Sequence, residues 1–513
     1  MARGLADLSD RPSSQADVLY SLGLFWITVL SRVPFRSHIL YHWDSVNFAL
    51  ALEYFDIRLH QPHPPGYVLY ILLGRVLNAV FSDANISLVW ISVLFSGLAV
   101  SAIFWLGQAM FGRQAGLVAA ALALTSPLFW FHGEVALSYI TEAFFVTAFA
   151  FCCYRQVTGD EGYMLPAAVL LGVAGGFRQN TLVLLVPLWL FSLVPLHWRQ
   201  RLIAAATLVL IVGTWMTAML LLSGGAASYW QALSSQTRGN VAISAAGAGA
   251  SLAINALRLA TYGFYALTLG LPFLAVALPL SAGRWRKWAR EPRWQVLGVW
   301  LVPSLAFYIL FVQQAGYTFT FMPAVLVILG YLLVEVSSQL ATRWRRGRKL
   351  GYALLVLLLS SNVVFFLCAP PFLFGQRRQL LNTPSWRSIR VRNSTVTEKL
   401  DYIRGHFAPE DTAVLADAFD FRLPDYYLAD YQVPSLSHQV DRDLGGIALP
   451  AEVSTLVLFN EDISVTSRGS LPLGEVSLPS GGKLRWLNRC DGEQLIVSAS
   501  GVRVEEKRPT DGS

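Results

Sequence analysis

One acidic residue, Asp44, lies among aromatic residues in the segment YHWDSVNFALALEYF. Tyr41, Trp43 and Phe48 are its aromatic neighbours, and the run that follows is typical of an amphipathic helix at a membrane surface. A carboxylate partly withdrawn from water becomes more basic, so Asp44 could accept a proton from a hydroxyl as a general base. Aspartate also caps the N-termini of helices, and the residues alone leave both roles open.

The next candidate is His63, which begins the segment HPPGY. The two prolines fix the backbone of this turn, and Gly66 permits a close approach or an unusual dihedral angle. Such a turn is typical of a structural corner that begins the next helix. Alternatively, His63 could form a hydrogen bond with a phosphate or a sugar.

Two glutamates, Glu134 and Glu142, lie at the start of another apolar run. The helix dipole favours an acidic residue at a helix N-terminus, which is a sufficient explanation for Glu134. Glu142 lies one or two turns deeper, beside Phe144 and Phe145, where a carboxylate is costly and often functional. Glu142 is therefore a candidate for contact with a substrate or an ion.

The tract HPPGYVLYILLGR, preceded by Asp44 and the amphipathic run, resembles the GT-C superfamily of membrane glycosyltransferases. Within that superfamily the chain is most similar to protein O-mannosyltransferase-related proteins with an HPPGYPLY-type motif. The tracts FWFHGEVALSYITEAFFVTAFAF (129–151), GGFRQNTLVLLVP (175–187) and GYTFTFMP (316–323) follow in the expected order. The resemblance thus covers about residues 17–370.

This resemblance implies a mannosyltransferase-like hexosyltransferase whose donor is a polyprenyl-phosphate sugar, reached from within the membrane. The acceptor is a lipid, a glycan or a protein on the outer face. The acidic residue of the first loop, matched here by Asp44, would deprotonate the acceptor hydroxyl. No cofactor is specified, a divalent metal is left open, and no metal ligand is assigned.

Three further residues could contact the donor phosphate, because cations and dipoles there stabilise the charge of the leaving group. Arg178, in GGFRQN, lies at an outer helix end, where basic residues are uncommon. Instead of binding the phosphate, its side chain could extend to the lipid headgroups. Arg238, in SQTRGN, could bind the same group or be a solvated loop charge. Tyr317, in QQAGYT, could add a hydrogen bond or belong to an interfacial belt of tyrosines.

Long apolar runs must position these residues. Of the 513 residues, 54% are hydrophobic and 14% are charged, against about a quarter charged in soluble domains. A spanning helix needs about 20 apolar residues, and helices satisfy their own backbone groups in lipid. We predict an α-helical polytopic membrane protein, GT-C-like, with about eleven spans. These lie near 17–34, 86–110, 115–130, 137–153, 162–177, 180–197, 202–222, 256–280, 295–312, 319–338 and 350–369. The run 67–81 contains Arg75 and is predicted as an interfacial or partly inserted helix.

Basic clusters at 284–293 and 343–349 indicate orientation, since basic residues concentrate in cytoplasmic connections. They predict a multi-pass protein of the cell membrane, with loops 35–66 and 223–255 outside. From about residue 376 the composition becomes polar, with strand-like runs at 412–416 and 454–460. We therefore predict a membrane domain, 1–375, and a small extracytoplasmic α/β domain, 376–513.

The net charge of +7 does not indicate a nucleic-acid partner, because the basic residues lie between apolar runs and no nucleic-acid-binding module accompanies them. The expected partners are the lipid-linked donor, its acceptor and membrane lipids. Two other classes stay open. A transporter or lipid flippase would place charges near the bilayer midplane, whereas the acidic candidates here cluster at the outer edge. A non-catalytic scaffold would hold Asp44 in a tightly packed loop.

Overall fold

The structure is a computed structural model and describes residues 14–242, 244, 251–311, 314–373, 383–417, 420–433, 447–467, 473–490, 493–498 and 501–506. Its helices are α1 (Gln15–Arg32), α2 (Trp43–Glu53), α3 (Val68–Phe81), α4 (Ala84–Phe111), α5 (Arg113–Thr125), α6 (Pro127–His132), α7 (Tyr139–Val157), α8 (Met164–Phe177), α9 (Gln179–Leu193), α10 (Trp198–Leu222), α11 (Ala226–Ala242), α12 (Leu252–Leu267), α13 (Gly270–Leu280), α14 (Trp285–Trp288), α15 (Pro292–Phe311), α16 (Met322–Arg343), α17 (Gly347–Cys368), α18 (Trp386–His406) and α19 (Arg422–Tyr427). Its strands are β1 (Thr412–Leu415), β2 (Ile447–Ala448), β3 (Thr455–Leu458), β4 (Val465–Ser467), β5 (Leu473–Ser477), β6 (Lys483–Asn488), β7 (Glu493–Ser498) and β8 (Gly501–Glu506).

The chain divides into two compact units. The first unit comprises Met1–Arg36 and Ala51–Ser388, and the second comprises Ser37–Leu50 and Ile389–Ser513. Most of the second unit follows the membrane helices in sequence, but it also includes a short segment of the first loop. The domain boundary predicted between residues 375 and 376 stays a prediction.

The first unit is built on helices that are long and apolar enough to cross a membrane. Within the described residues these are Gln15–Phe35, Ala84–Phe111, Trp198–Leu222, Pro292–Phe311, Met322–Arg343 and Gly347–Cys368. Large apolar side chains remain exposed on them, among them Leu30, Leu210 and Val356, as lipid-facing side chains do. The prediction of an α-helical polytopic membrane protein is confirmed. The other predicted spans coincide with shorter helices, so the count of eleven stays a prediction.

The run predicted as a span near 256–280 is bent within its length, and whether it forms one span stays a prediction. α12 and α13 meet at Thr268 with a bend of 107°. Pro272 lies four residues after Thr268, and a proline ring clashes with the carbonyl of the fourth residue before it. The Thr268 hydroxyl donates to Asn362 Oδ1 at 2.5 Å, and this hydrogen bond ties the bend to α17.

The short helix α3 coincides with the predicted run 67–81, and its one arginine has a defined role. Arg75 Nε and Nη2 each donate over 2.9 Å, to the carbonyl oxygens of Leu52 and Ala51 respectively. These carbonyls lie in the last turn of α2, where helix carbonyls have no helical partner. Arg75 therefore stabilises the end of α2.

Several connections of the first unit meet at one end of its helices. A cavity of about 1860 Å³ is lined there by Asp17, Arg113, Arg155 and Glu335, among others. Arg113 Nε lies 2.5 Å from Asp17 Oδ1, and Arg155 Nη2 lies 2.8 Å from Asp160 Oδ2. The basic connections after α4 and after α7 thus share one end, as alternate connections of a helix bundle must. The side of the membrane on which they lie stays a prediction.

The second unit contains two four-stranded sheets, with strand orders β1-β3-β6-β5 and β2-β7-β8-β4. β1 and β3 are parallel neighbours, and β6 pairs antiparallel with β3 and β5. Every residue of β1 is buried, as in a strand covered on both faces. The strand-like runs 412–416 and 454–460 are confirmed as β1 and β3, and with them a C-terminal α/β region.

Close backbone packing of α4 on α5 generates a prediction. A Cβ atom on Gly116 would lie 2.6 Å from the Phe104 carbonyl oxygen and 2.7 Å from the backbone nitrogen of Gln108. Gly116→Ala should therefore force the two helices apart and cost about 1–3 kcal/mol, typical of overpacking. We expect a lower melting temperature in detergent. Gly213→Ala in α10 is the control, because a Cβ there meets nothing within 4 Å and alanine favours the helix. Equal melting temperatures for the two variants would contradict this packing.

Candidate functional site

Asp44 lies in the first turn of α2, which begins at Trp43. Its side chain is buried, and its carboxylate Oδ2 lies 3.6 Å from His42 Nδ1. The Asp44 backbone N–H also donates to His42 Nδ1, at 3.2 Å. Because the helix begins before Asp44, this residue does not occupy the cap position that was one of its two predicted roles. The structure thus leaves a buried carboxylate beside an imidazole.

A residue that the sequence analysis missed, Asn47, lies one helical turn after Asp44 and therefore on the same face of α2. It is fully buried, and neither its Oδ1 nor its Nδ2 atom has a hydrogen-bond partner in the described part of the chain. An unsatisfied buried amide costs about 1–3 kcal/mol. Its spacing of three residues from Asp44 was the signal in the sequence.

The HPPGY turn directly precedes α3, as the sequence predicted. Gly66 has a φ of +121°, which residues with a side chain rarely adopt. A Cβ atom at this position would also lie only 2.6 Å from the Met219 sulfur, so both the backbone angle and the close contact favour glycine. His63 is buried, with Nε2 at 3.1 Å from the Tyr67 hydroxyl. Burial, helped by the charge of Arg178, lowers the pKa of His63 to about 3. The imidazole is therefore neutral at physiological pH and can contribute only a hydrogen bond.

Arg178 interrupts the helical path between α8 and α9, with an extended backbone (φ −151°, ψ 110°). Only 4% of its surface is exposed, so it does not reach out to lipid headgroups, and that alternative is wrong. Its Nε atom lies 3.1 Å from Glu142 Oε2, and its Nη1 atom donates to Ser138 Oγ at 2.9 Å. A guanidinium so far from water needs such a partner, because an unpaired buried charge is strongly unfavourable.

Three tyrosine rings surround this guanidinium. The Arg178 Cζ atom lies 4.3 Å from the ring centroid of Tyr139, 5.6 Å from that of Tyr67 and 6.0 Å from that of Tyr317. Cation–π contacts of this kind favour a fixed, desolvated guanidinium. We refer to Arg178, Glu142, His63 and these three tyrosines as the arginine cluster.

Glu142 is held as firmly as its arginine. Its Oε1 atom accepts hydrogen bonds from the hydroxyls of Thr181, at 2.6 Å, and Thr320, at 2.8 Å. The Oε2 atom lies in the ion pair with Arg178 and has no hydrogen-bond partner among the described residues, so the arginine is oriented by charge. A direct contact of Glu142 with a substrate or ion stays a prediction.

Of the two remaining candidates, Tyr317 and Arg238, the structure places only Tyr317 at the arginine cluster. Tyr317 lies in the 3₁₀ turn Ala315–Thr320 and belongs to the arginine cluster. Arg238 lies exposed on α11, where it forms no ion pair with any described residue, and the structure does not bring it to the cluster. A substrate contact by Arg238 stays a prediction.

The explanation of Glu134 by a helix dipole is wrong. Glu134 lies in the turn before α7, five residues ahead of its first residue, Tyr139, and is fully buried. Its carboxylate interacts electrostatically with Arg32, which is also fully buried at the end of α1. The Arg32 guanidinium lies 4.7 Å from the ring centroid of Trp130. The two opposite charges attract each other between α1 and the corner between α6 and α7, and neither Glu134 carboxylate oxygen has a hydrogen-bond partner among the described residues.

The sequence contains signals for two further residues at the arginine cluster, Tyr139 and Thr320. Tyr139 lies three residues before Glu142, which places the two on one face of α7. Thr320 lies within the tract GYTFTFMP, which carried the resemblance. Ser138 offered no signal, because only the fold brings its hydroxyl to Arg178. Across the described residues, no three His, Cys, Asp or Glu side chains are grouped so that they could hold a metal ion.

Comparison with known protein families gives a match over part of the chain. Residues 53–202 match the protein O-mannosyl-transferase TMEM260 N-terminal domain. The resemblance to protein O-mannosyltransferase-related proteins, predicted from the motifs, is thus confirmed over these residues. The matched range includes His63, Glu142 and Arg178, and it begins after Asp44. No curated protein sequence matches the chain.

Solved structures similar to the chain include ArnT from Cupriavidus metallidurans and the archaeal oligosaccharyltransferase AglB from Archaeoglobus fulgidus. ArnT in the apo state has 14% identity over 81% of this chain and 84% of its own, with a TM-score of 0.44. ArnT bound to undecaprenyl phosphate has 13% identity over 93% of this chain and 99% of its own, with a TM-score of 0.48. AglB in complex with an inhibitory peptide and a dolichol-phosphate has 14% identity over 87% of this chain and 70% of its own, with a TM-score of 0.48. These TM-scores are below 0.5, so the three likenesses carry no weight for function.

The buried pair of Arg178 and Glu142 generates a prediction. Arg178→Met should destabilise the protein by about 3–5 kcal/mol, because it leaves the Glu142 carboxylate buried without its counter-charge. Adding Glu142→Gln should recover part of this loss. The measurement is the melting temperature of the purified chain in detergent. Arg238→Met removes an exposed arginine and should leave the melting temperature unchanged. An Arg178→Met variant as stable as Arg238→Met would rule out the pair as a structural element.

Proposed function

We propose that the chain is a glycosyltransferase of the cell membrane that transfers a sugar from a polyprenyl-phosphate donor to an acceptor on the outer face. The observation that carries the proposal is the match to a protein O-mannosyl-transferase domain over residues 53–202. Three of the predicted site residues, His63, Glu142 and Arg178, lie within the matched range, and all belong to the arginine cluster. We further propose that the α/β region is extracytoplasmic.

In the proposed reaction Asp44 is the general base. Its carboxylate takes the proton of an acceptor hydroxyl while the oxygen attacks the anomeric carbon of the sugar. The bond between this carbon and the phosphate oxygen breaks on the opposite face, which inverts the anomeric configuration. Polyprenyl phosphate leaves with the bonding electrons. The burial of Asp44 supports this role, since a carboxylate removed from water is a stronger base.

The leaving phosphate gains negative charge in this step, and we propose that Arg178 stabilises it. Glu142 compensates the arginine in the resting protein and fixes its orientation. A fixed cation in a desolvated site stabilises developing charge without reorganisation, which is the usual source of electrostatic catalysis. The hydroxyl of Tyr317 and the neutral imidazole of His63 would add hydrogen bonds to the phosphate or the sugar.

The first test is Asp44→Asn, which keeps the shape of the side chain and removes its basicity. Transfer should fall by about 10²–10⁴-fold, as expected for the loss of a general base. Purified chain is mixed with undecaprenyl-phosphate mannose, glucose or galactose, each radiolabelled, and with a membrane preparation as the acceptor source. Label is then counted separately in the protein, lipid and glycan fractions.

The control for this test is Asp83→Asn. Asp83 caps α4 by accepting the Ile86 N–H at 2.7 Å, and asparagine caps helices equally well, so transfer should be unchanged. Wild-type turnover by a folded Asp44→Asn variant would refute the base. Absence of transfer by the wild-type chain from all three donors would contradict the proposed function itself.

A second test addresses the hydroxyl of Tyr317. Tyr317→Phe keeps the ring beside Arg178 and removes one hydrogen-bonding group. We expect the KM for the donor to rise about five-fold, because a net hydrogen bond contributes about 1 kcal/mol. Tyr352→Phe, at a 65% exposed position on α17, should leave this KM unchanged. Equal donor KM values for the two variants would exclude Tyr317 from donor binding.

A further inference from the structure

The segment that carries Asp44 packs with a part of the chain that is very distant in sequence. Ser37–Leu50 forms one compact unit with Ile389–Ser513. Leu40 is fully buried, and Ile39 and Tyr41 on either side of it are buried as well. The first eight residues of α2, with Asp44 among them, belong to this unit. The position of Asp44 within it therefore depends on what holds residues 37–41.

Two hydrogen bonds connect these residues to the distant part of the second unit. The Ser37 hydroxyl lies 2.8 Å from Asn393 Oδ1, although 356 positions separate the two residues. The backbone N–H of Leu40 donates to the Tyr427 hydroxyl at 2.9 Å. A buried backbone N–H needs an acceptor, and in this loop a side chain from α19 supplies it.

One of the two partner residues, Asn393, lies on a helix that is held by the ends of the parallel strands. Arg392, next to Asn393 on α18, pairs through both terminal nitrogens with the Asp420 carboxylate. Asn460, just after β3, donates from Nδ2 to Asp420 at 2.8 Å, and its Oδ1 accepts the Asp417 N–H at 2.9 Å. Asp417 follows β1. The carboxyl ends of β1 and β3 thus hold α18 in place through a continuous polar network.

We propose that the C-terminal α/β region positions the catalytic carboxylate, with Tyr427 and Asn393 as the positioning residues that set the place of the Asp44 segment. The proposal rests on the proposed function, since it assumes that Asp44 is the general base. A base must lie within hydrogen-bonding reach of the proton that it accepts, and a displacement of about 1 Å can cost 10²-fold in rate. The loss of either bond lets residues 37–41 move and lowers the fraction of molecules with Asp44 in place.

The experiment compares Tyr427→Phe and Asn393→Ala with the wild-type full-length chain in the transfer assay described above. Each variant should lower kcat about five-fold and leave the donor KM unchanged, because the carboxylate is displaced and the arginine cluster is intact. The Leu40 amide should exchange its hydrogen about five-fold faster in Tyr427→Phe, as expected for the loss of its acceptor.

Two matched controls lie in the same unit. Tyr431→Phe removes a hydroxyl that donates to the Phe407 carbonyl at 2.8 Å, a bond that does not involve residues 37–41. Asn488→Ala removes an amide that accepts a 3.3 Å bond from Thr455 Oγ1 on a neighbouring strand. Both controls should keep the wild-type kcat per folded molecule.

The outcomes separate the two proposals. If Asp44→Asn abolishes transfer while Tyr427→Phe and Asn393→Ala keep the wild-type kcat, the positioning role is overturned and the general base stands. A kcat loss equal to that of the two controls also overturns it, because the effect is then one of general stability. If Asp44→Asn transfers sugar normally, the general base is refuted and the positioning role fails with it. The proposed function itself is contradicted only if the wild-type chain transfers no sugar from any of the three donors.

Discussion

A guanidinium inside an apolar helix bundle must be paired, and this constraint organises the first unit. Arg178 interrupts two helices, is almost fully withdrawn from solvent and depends on Glu142 for compensation. Glu142 in turn depends on hydroxyls from Thr181 and Thr320, which belong to different elements. Because an uncompensated charge costs several kcal/mol in such surroundings, α7, α9 and the turn before α16 are fixed relative to one another.

The ion pair of Arg178 and Glu142, which fixes three elements, also holds a positive charge in a fixed, desolvated position. The tyrosine rings around Arg178 exclude water without removing its charge, and a low local dielectric strengthens any interaction with an incoming anion. The neutral state of His63 keeps the net charge of the cluster near zero at rest, since the positive arginine faces one carboxylate. The cluster therefore fits the transient stabilisation of a charged leaving group better than the permanent binding of a free anion.

In the second unit, polar residues at the carboxyl ends of the parallel strands hold another part of the chain. In α/β folds, polar residues at the carboxyl ends of parallel strands usually form a binding site. Here Asp417 and Asn460 occupy these ends, and a polar network runs from them through Asp420 to Arg392 on α18. The next residue of α18, Asn393, accepts a hydrogen bond from Ser37 in the loop segment of Asp44. Part of the polar surface at the strand ends is thus used to hold the chain's own segment. This arrangement gives the C-terminal region a place in the proposed chemistry.

The sequence by itself determined the helical membrane character, the strands β1 and β3, and the candidates His63, Glu142 and Arg178, because apolar length and residue type are local properties. It predicted a span near 256–280 without the bend at Thr268, although Pro272 was a local signal for it. The tertiary structure alone decided the partners of these candidates. Glu142 meets Thr320 across 178 positions, and Ser37 meets Asn393 across 356. Such pairings depend on the path of the whole chain, and neither spacing nor composition encodes them.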